Sequence, residues 1–232
     1  RRRPADYRRR QPRPGGGGDC RRDPMTAIKI CGIKTAAAFD ATVEAGADFL
    51  GLNFFPPSPR YVTAAAATAL SARHAEGPRR VGLFVKPTDQ EIAAVLAEVR
   101  LDVLQIYANP ARAAGIKKKF GLPVWRAIGV AASADLPASD EGLDGFVIEA
   151  KPPAGATRPG GNATTMDWSL LKGWTAPGFW LLAGGLTPDN VADAITQTTP
   201  PSVDVSSGVE TAPGEKSPDL IRQFVAAARQ GR

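Results

Sequence analysis

The chain has 232 residues, 43% of them hydrophobic, enough to core one large α/β barrel or two small domains. Its formal charge of +6 resides in residues 1–24, where nine arginines face three aspartates, so the neutral remainder gives no electrostatic case for a nucleic-acid partner. Two cysteines exclude a disulfide framework and a cysteine-bound metal centre, and no apolar run approaches the ~18 residues of a membrane span.

A globular protein of the reducing cytoplasm is expected, with no membrane partner. Residues 1–24 are rich in Arg, Pro and Gly and cannot bury enough surface to offset their chain entropy. The composition predicts a disordered tail outside the fold and a native product beginning at Met25. The tail has no apolar signal core, and Asp6, Asp19 and Asp23 do not suit a transit peptide.

From Met25 onward, short apolar runs alternate with helix-period segments. The spacing predicts a strand over 27–31, an Ala-rich helix over 35–45 and a second strand over 49–55. A rigid Pro56-Pro57-Ser58-Pro59-Arg60 loop leads to a helix over 64–75, and 81–85 reads as the third strand. Thr88-Asp89-Gln90-Glu91 is a capping box, in which the Thr88 hydroxyl and the Glu91 carboxylate each satisfy the other's backbone amide. Ile92, Val95, Leu96 and Val99 then fall on one helix face.

Strands over 103–107, 124–130 and 145–149 follow, with a helix over 110–120 after the first of them. Residues 151–165 form a Pro/Gly/Thr loop too long for an ordinary connection and therefore read as a lid or binding loop. A short helix over 167–172 and a strand over 179–183 come next, and Thr187-Pro188 reads as an N-cap with proline at the first helical position. After an eighth strand over 203–206, Ser217-Pro218 opens the last helix, whose apolar face is Leu220, Ile221, Phe224, Val225 and Ala228. Eight regularly spaced strands predict a (β/α)8 TIM barrel forming a single domain over 25–232. A doubly wound sheet fits less well, because no Gly-x-Gly-x-x-Gly follows the first strand.

In such a barrel the carboxyl ends of the strands form the reactive face. Alternation turns Lys29 and Cys31 to one side of the first strand and Ile28 and Ile30 to the other. The remaining ends are the 55–60 loop, Tyr107, residues 126–129, Glu149, Gly184-Gly185 and Ser206-Ser207-Gly208. Glycines let backbone amides approach an anion closely, so Gly184-Gly185 and the Asp204 to Gly208 turn form a candidate phosphate site. Lys29, ~7 Å from Cys31 by strand geometry, is expected to favour the thiolate. Phe146, Val147 and Ile148 are expected to give Glu149 the apolar surroundings that keep a carboxylic acid protonated. His74 reads as a surface or capping residue, and the four tryptophans as packing, with Trp125 close enough to a strand end to border an aromatic ligand.

Lys29-Ile30-Cys31-Gly32-Ile33, Phe54-Phe55-Pro56-Pro57-Ser58-Pro59-Arg60-Tyr61-Val62, Gly160-Gly161 with Asp167-Trp168-Ser169-Leu170-Leu171, Ala183-Gly184-Gly185-Leu186-Thr187-Pro188-Asp189-Asn190-Val191, and Val203-Asp204-Val205-Ser206-Ser207-Gly208-Val209-Glu210 together resemble the phosphoribosylanthranilate isomerase family of tryptophan biosynthesis. The resemblance implies an Amadori rearrangement of N-(5-phosphoribosyl)anthranilate to 1-(2-carboxyphenylamino)-1-deoxyribulose 5-phosphate, without cofactor or metal. It implies Cys31 as the general base, Glu149 as the general acid and Arg60 as the holder of the anthranilate carboxylate. The phosphorylated sugar is expected against Gly184, Gly185, Asp204, Ser206, Ser207 and Gly208, in a monomer rather than a dimer.

Three positions depart from the family's pattern. Glu149 stands for its usual aspartate, Gln105-Ile106-Tyr107-Ala108 for Gln-Leu-His-Gly, and Gly160-Gly161-Asn162-Ala163 for Gly-Gly-Thr-Gly. Two other readings stay open: a non-catalytic sugar-phosphate-binding barrel of the same family, and the related histidine-pathway isomerase, whose two aspartates fit poorly with Cys31.

Overall fold

The structure is a computed structural model and describes residues 25–153, 155, 159–160 and 165–231. The predicted tail, 1–24, lies outside the described residues. Eight strands, β1 (Ala27–Cys31), β2 (Phe49–Asn53), β3 (Arg79–Val85), β4 (Val103–Tyr107), β5 (Val124–Val130), β6 (Gly145–Ala150), β7 (Trp180–Leu182) and β8 (Ser202–Val205), pair in parallel and in chain order. β8 returns to β1, with Lys29 opposite Asp204, and closes the expected barrel.

Alternation divides the apolar residues into two cores. Phe49, Val81, Val103, Trp125, Val147 and Leu181 fill the barrel interior, where Trp125 meets Phe49 edge-on at 5.0 Å between centroids. Trp125 therefore packs the interior and does not border the cleft described below. Ile28, Ile30, Leu50, Leu52, Ile106 and Ile148 face outward and pack under the helices.

Those helices are α1 (Ala36–Glu44), α2 (Ala64–Ser71), α3 (Asp89–Glu98), α4 (Pro110–Phe120), α5 (Val191–Thr198) and α6 (Pro218–Gln230). Side-chain caps start most of them: Thr35, Thr63, Asn109 and Ser217 each accept an orphan amide, and Thr88 with Glu91 forms the full reciprocal box. α5 begins later than the sequence predicts. Asn190, not Thr187, is its N-cap, and the Asn190 amide group ties the preceding turn by accepting from Thr187 N at 2.8 Å and donating to Gly185 O at 3.0 Å. On α3 the expected stripe faces the outer core: Ile92 and Val99 are buried in it and Val95 and Leu96 pack half-buried against it, with Val99 capping the helix in extended backbone.

β5 is followed by a 3-10 turn, Ser133–Asp135. The predicted short helix after β6 is likewise a 3-10 turn, Trp168–Leu171, begun by the Asp167 carboxylate accepting from Ser169 N at 3.0 Å. Between β8 and α6 the chain makes a small antiparallel hairpin, β9 (Glu210–Ala212) with β10 (Glu215–Lys216). His74 sits at the surface as expected, 2.8 Å from Asp40 Oδ1 and stacked on Phe39.

Candidate active site

At the carboxyl ends of the strands the barrel opens into a cleft of about 770 Å³. Cys31, Arg60, Glu149, Gly184, Gly185, Asp204, Ser206 and Ser207 all line it, so residues scattered over the sequence meet in one place. Gly208 does not line it. Its Cα packs against the Leu186 carbonyl so closely that any side chain would collide there, and the glycine lets the turn after β8 close onto the turn after β7. The 126–129 segment is also absent from the lining, because Arg126 turns outward and forks onto Glu141 at 2.6 and 2.5 Å.

Cys31 is buried and owes its space to Gly51, its neighbour in register on β2, where a Cβ would lie 2.7 Å from the sulfur. Beneath it, Lys29 is completely buried and donates to Asp204 Oδ1 at 2.9 Å. Burial opposes the Lys29 ammonium, but Asp204 and Cys31 outweigh it and raise the lysine's pKa above its usual value. For Cys31 the balance falls the other way. Burial pushes the thiol up; Lys29 pulls it down as the sequence predicts, but does not win.

Glu149 is buried near the end of β6, and only Val147 shares the interior with it, since Phe146 and Ile148 belong to the outer core. The apolar surroundings expected from its neighbours in sequence are thus mostly on the wrong face. Polar company replaces them. A Cβ on Gly160 would lie 2.5 Å from Tyr107 Oη and 2.6 and 2.7 Å from the two Glu149 carboxyl oxygens, so these oxygens converge on bare glycine backbone. Burial, with the Glu149 carboxylate beside it, raises the Tyr107 pKa well above its usual value, which leaves the phenol a proton donor toward Glu149. Pro159 and Gly160, in the described part of the long loop, line the cleft. Gly161, Asn162 and Ala163 lie outside the described residues.

Gly184 and Gly185, also in the lining, take successive left-handed conformations, φ 85° and 66°, which residues with side chains rarely adopt. Arg60, nearly fully buried, presents Nε and Nη2 to Glu210 at 2.7 and 2.9 Å. Sequence reasoning missed Gln105, whose buried Oε1 no protein group hydrogen-bonds, as well as Asn53, Ser58, Glu210 and Lys216. Gln105 was discoverable, because alternation from Tyr107 puts it inside. Among the described residues no cluster of three or more His, Cys, Asp or Glu could hold a metal ion.

Fold and cleft together define a (β/α)8-barrel enzyme. Residues 28–227 match the family described as N-(5'phosphoribosyl)anthranilate (PRA) isomerase. The N-(5'-phosphoribosyl)anthranilate isomerase of Acidiphilium cryptum is 57% identical over 204 residues, covering 88% of this chain and 98% of that protein. A solved phosphoribosyl anthranilate isomerase in complex with reduced 1-(o-carboxyphenylamino)-1-deoxyribulose 5-phosphate is 32% identical, with TM-score 0.73 and coverage of 88% and 98%. A structure of monomers of the dimeric enzyme from Thermotoga maritima has the same identity, score and coverage. The chain belongs to the N-(5'-phosphoribosyl)anthranilate isomerase family.

Proposed function

We propose that Cys31 and Glu149 carry out the isomerisation of N-(5'-phosphoribosyl)anthranilate in tryptophan biosynthesis from opposite sides of the cleft. The observation that carries this reading is the convergence of a thiol, a carboxyl and paired glycine turns on one pocket. Glu149 protonates the ribose ring oxygen, and the C1'–O bond breaks as the nitrogen lone pair forms an iminium. Cys31, whose ionisation Lys29 assists against the cost of burial, takes the C2' proton as the thiolate, the electron pair forms the C1'=C2' enolamine, and tautomerisation gives the 2-ketone. Both redox changes occur within the substrate, so no external electron acceptor enters the balance. The Gly184-Gly185 and Ser206-Ser207 turns take the phosphate, Arg60 takes the anthranilate carboxylate, and the unmatched Gln105 Oε1 accepts from a sugar hydroxyl, which removes a penalty of about 1–3 kcal/mol.

Purified protein should deplete the fluorescence of freshly prepared phosphoribosylanthranilate. Cys31→Ala and Glu149→Ala should each lower kcat by about 10² to 10⁴. Full activity in both variants would remove the assignment, and binding of the reduced product analogue without turnover would leave a binding barrel.

Work by a thiolate suits a reducing compartment, and on that ground we place the chain in the cytoplasm; no described helix is long and apolar enough to cross a membrane. We also read it as a monomer. Among described residues only Met25 and Tyr61 are large apolar side chains left exposed, too little for a stable apolar interface. Sedimentation at micromolar concentration tests this against the dimeric state named for the Thermotoga maritima relative.

A further inference from the structure

Among the described residues, Arg60 is held from three directions. Its stem lies on the turn after β1, where a Cβ on Gly32 (φ 80°) would come within 2.7 Å of Arg60 Cδ. Its own backbone amide donates to Ser58 Oγ at 3.2 Å, and Ser58 in turn accepts from Asn53 Nδ2 at 3.1 Å. Its guanidinium forks onto the Glu210 carboxylate at 2.7 and 2.9 Å, which fixes the plane of the head group.

Glu210 is itself tethered. Lys216, across the β9–β10 hairpin, donates to Glu210 Oε1 at 2.7 Å, to Ser206 O at 2.8 Å and to Ser206 Oγ at 3.3 Å. The Ser206 hydroxyl donates to the Cys31 carbonyl at 3.2 Å. The hairpin's Gly214 packs directly on the Pro59 carbonyl, which Lys34 Nζ also reaches at 3.1 Å. Arg60, Glu210 and Lys216 side chains are only 4%, 4% and 1% exposed, so solvent screens little of their interaction.

A guanidinium that is already oriented loses less freedom when it takes a carboxylate. We propose that Glu210 and Lys216 are positioning residues that hold Arg60 for the substrate's aromatic carboxylate, Glu210 through the fork and Lys216 by anchoring Glu210 to the turn after β8. This rests on the reading that Arg60 binds that carboxylate. Neither residue touches the reacting atoms; loss of Glu210 acts on recognition, whereas loss of Lys216 also withdraws a charge that favours the Cys31 anion.

The test measures KM and kcat with phosphoribosylanthranilate, and binding of the reduced product analogue beside the same analogue lacking its carboxyl group. The variants are full-length Arg60→Gln, Glu210→Gln, Lys216→Met and Lys216→Arg. Glu210→Gln should raise KM about tenfold with kcat within about threefold, and Glu210→Gln and Lys216→Met should both shrink the preference for the carboxylated analogue by about the same factor. Lys216→Arg should recover most of that preference. If Glu210→Gln does not fold, the Lys216 pair decides. An Arg60→Gln variant that keeps the preference would defeat the carboxylate reading beneath the proposal. An Arg60→Gln variant that loses it, beside Glu210 and Lys216 variants that keep it, overturns the positioning role alone.

Discussion

Under the Cys31 thiol, Lys29 and Asp204 are a buried ion pair joining the first barrel strand to the last. Breaking it from one side strands a buried charge. Lys29→Met should therefore cost about 3–5 kcal/mol in urea denaturation, and Lys29→Met with Asp204→Asn should recover part of that loss. Gly51→Ala places a methyl where the Cys31 sulfur sits and should lower kcat/KM by about 10² while the protein remains folded. Cys31, Glu149 and Arg60 were legible because each stands at a strand end or within a motif. Glu210 was not, since its partner Arg60 lies 150 residues away and only barrel closure brings them together. The pull of Lys29 on the Cys31 thiol was legible from strand spacing, whereas the depth of burial that outweighs it belongs to the assembled fold.

Among the elements, strands were easiest to find. Most barrel strands are short and apolar on both faces, β1 and β8 excepted, and all eight appear within a few residues of their expected bounds. Caps with a local chemical signature were equally readable: Ser217→Ala should remove the Leu220 amide's acceptor and cost about 1 kcal/mol by thermal unfolding. Thr187-Pro188 carries the same signature but fails, because Asn190 sits close enough to satisfy the turn and start α5 itself. The β9–β10 hairpin was invisible, since its strands are only three and two residues long and are held through Lys216 and Gly214 rather than by an apolar pattern.

For the molecule as a whole, acid should act through Glu210. Burial would raise its pKa, but Arg60 and Lys216 more than reverse that and hold it at about 2, below the usual 4.5. A carboxylate depressed on folding stabilises the native state above its unfolded pKa and loses that contribution as pH falls toward the folded value. Stability should therefore decline from about pH 4.5 toward pH 2, and Glu210→Gln should flatten that decline in pH-dependent urea titrations. Removing residues 1–24 should abolish retention on heparin, because the excess of +6 goes with them.

One arrangement bears on handling the enzyme. Arg229, in the last turn of α6, donates to Thr26 O at 2.8 Å and to Asp48 Oδ2 at 3.0 Å, so both described ends of the chain meet at the amino-terminal floor of the barrel. A resin, dye or fused module joined directly at Thr26 or Gly231 would hang beneath the bowl and leave its rim clear for traffic.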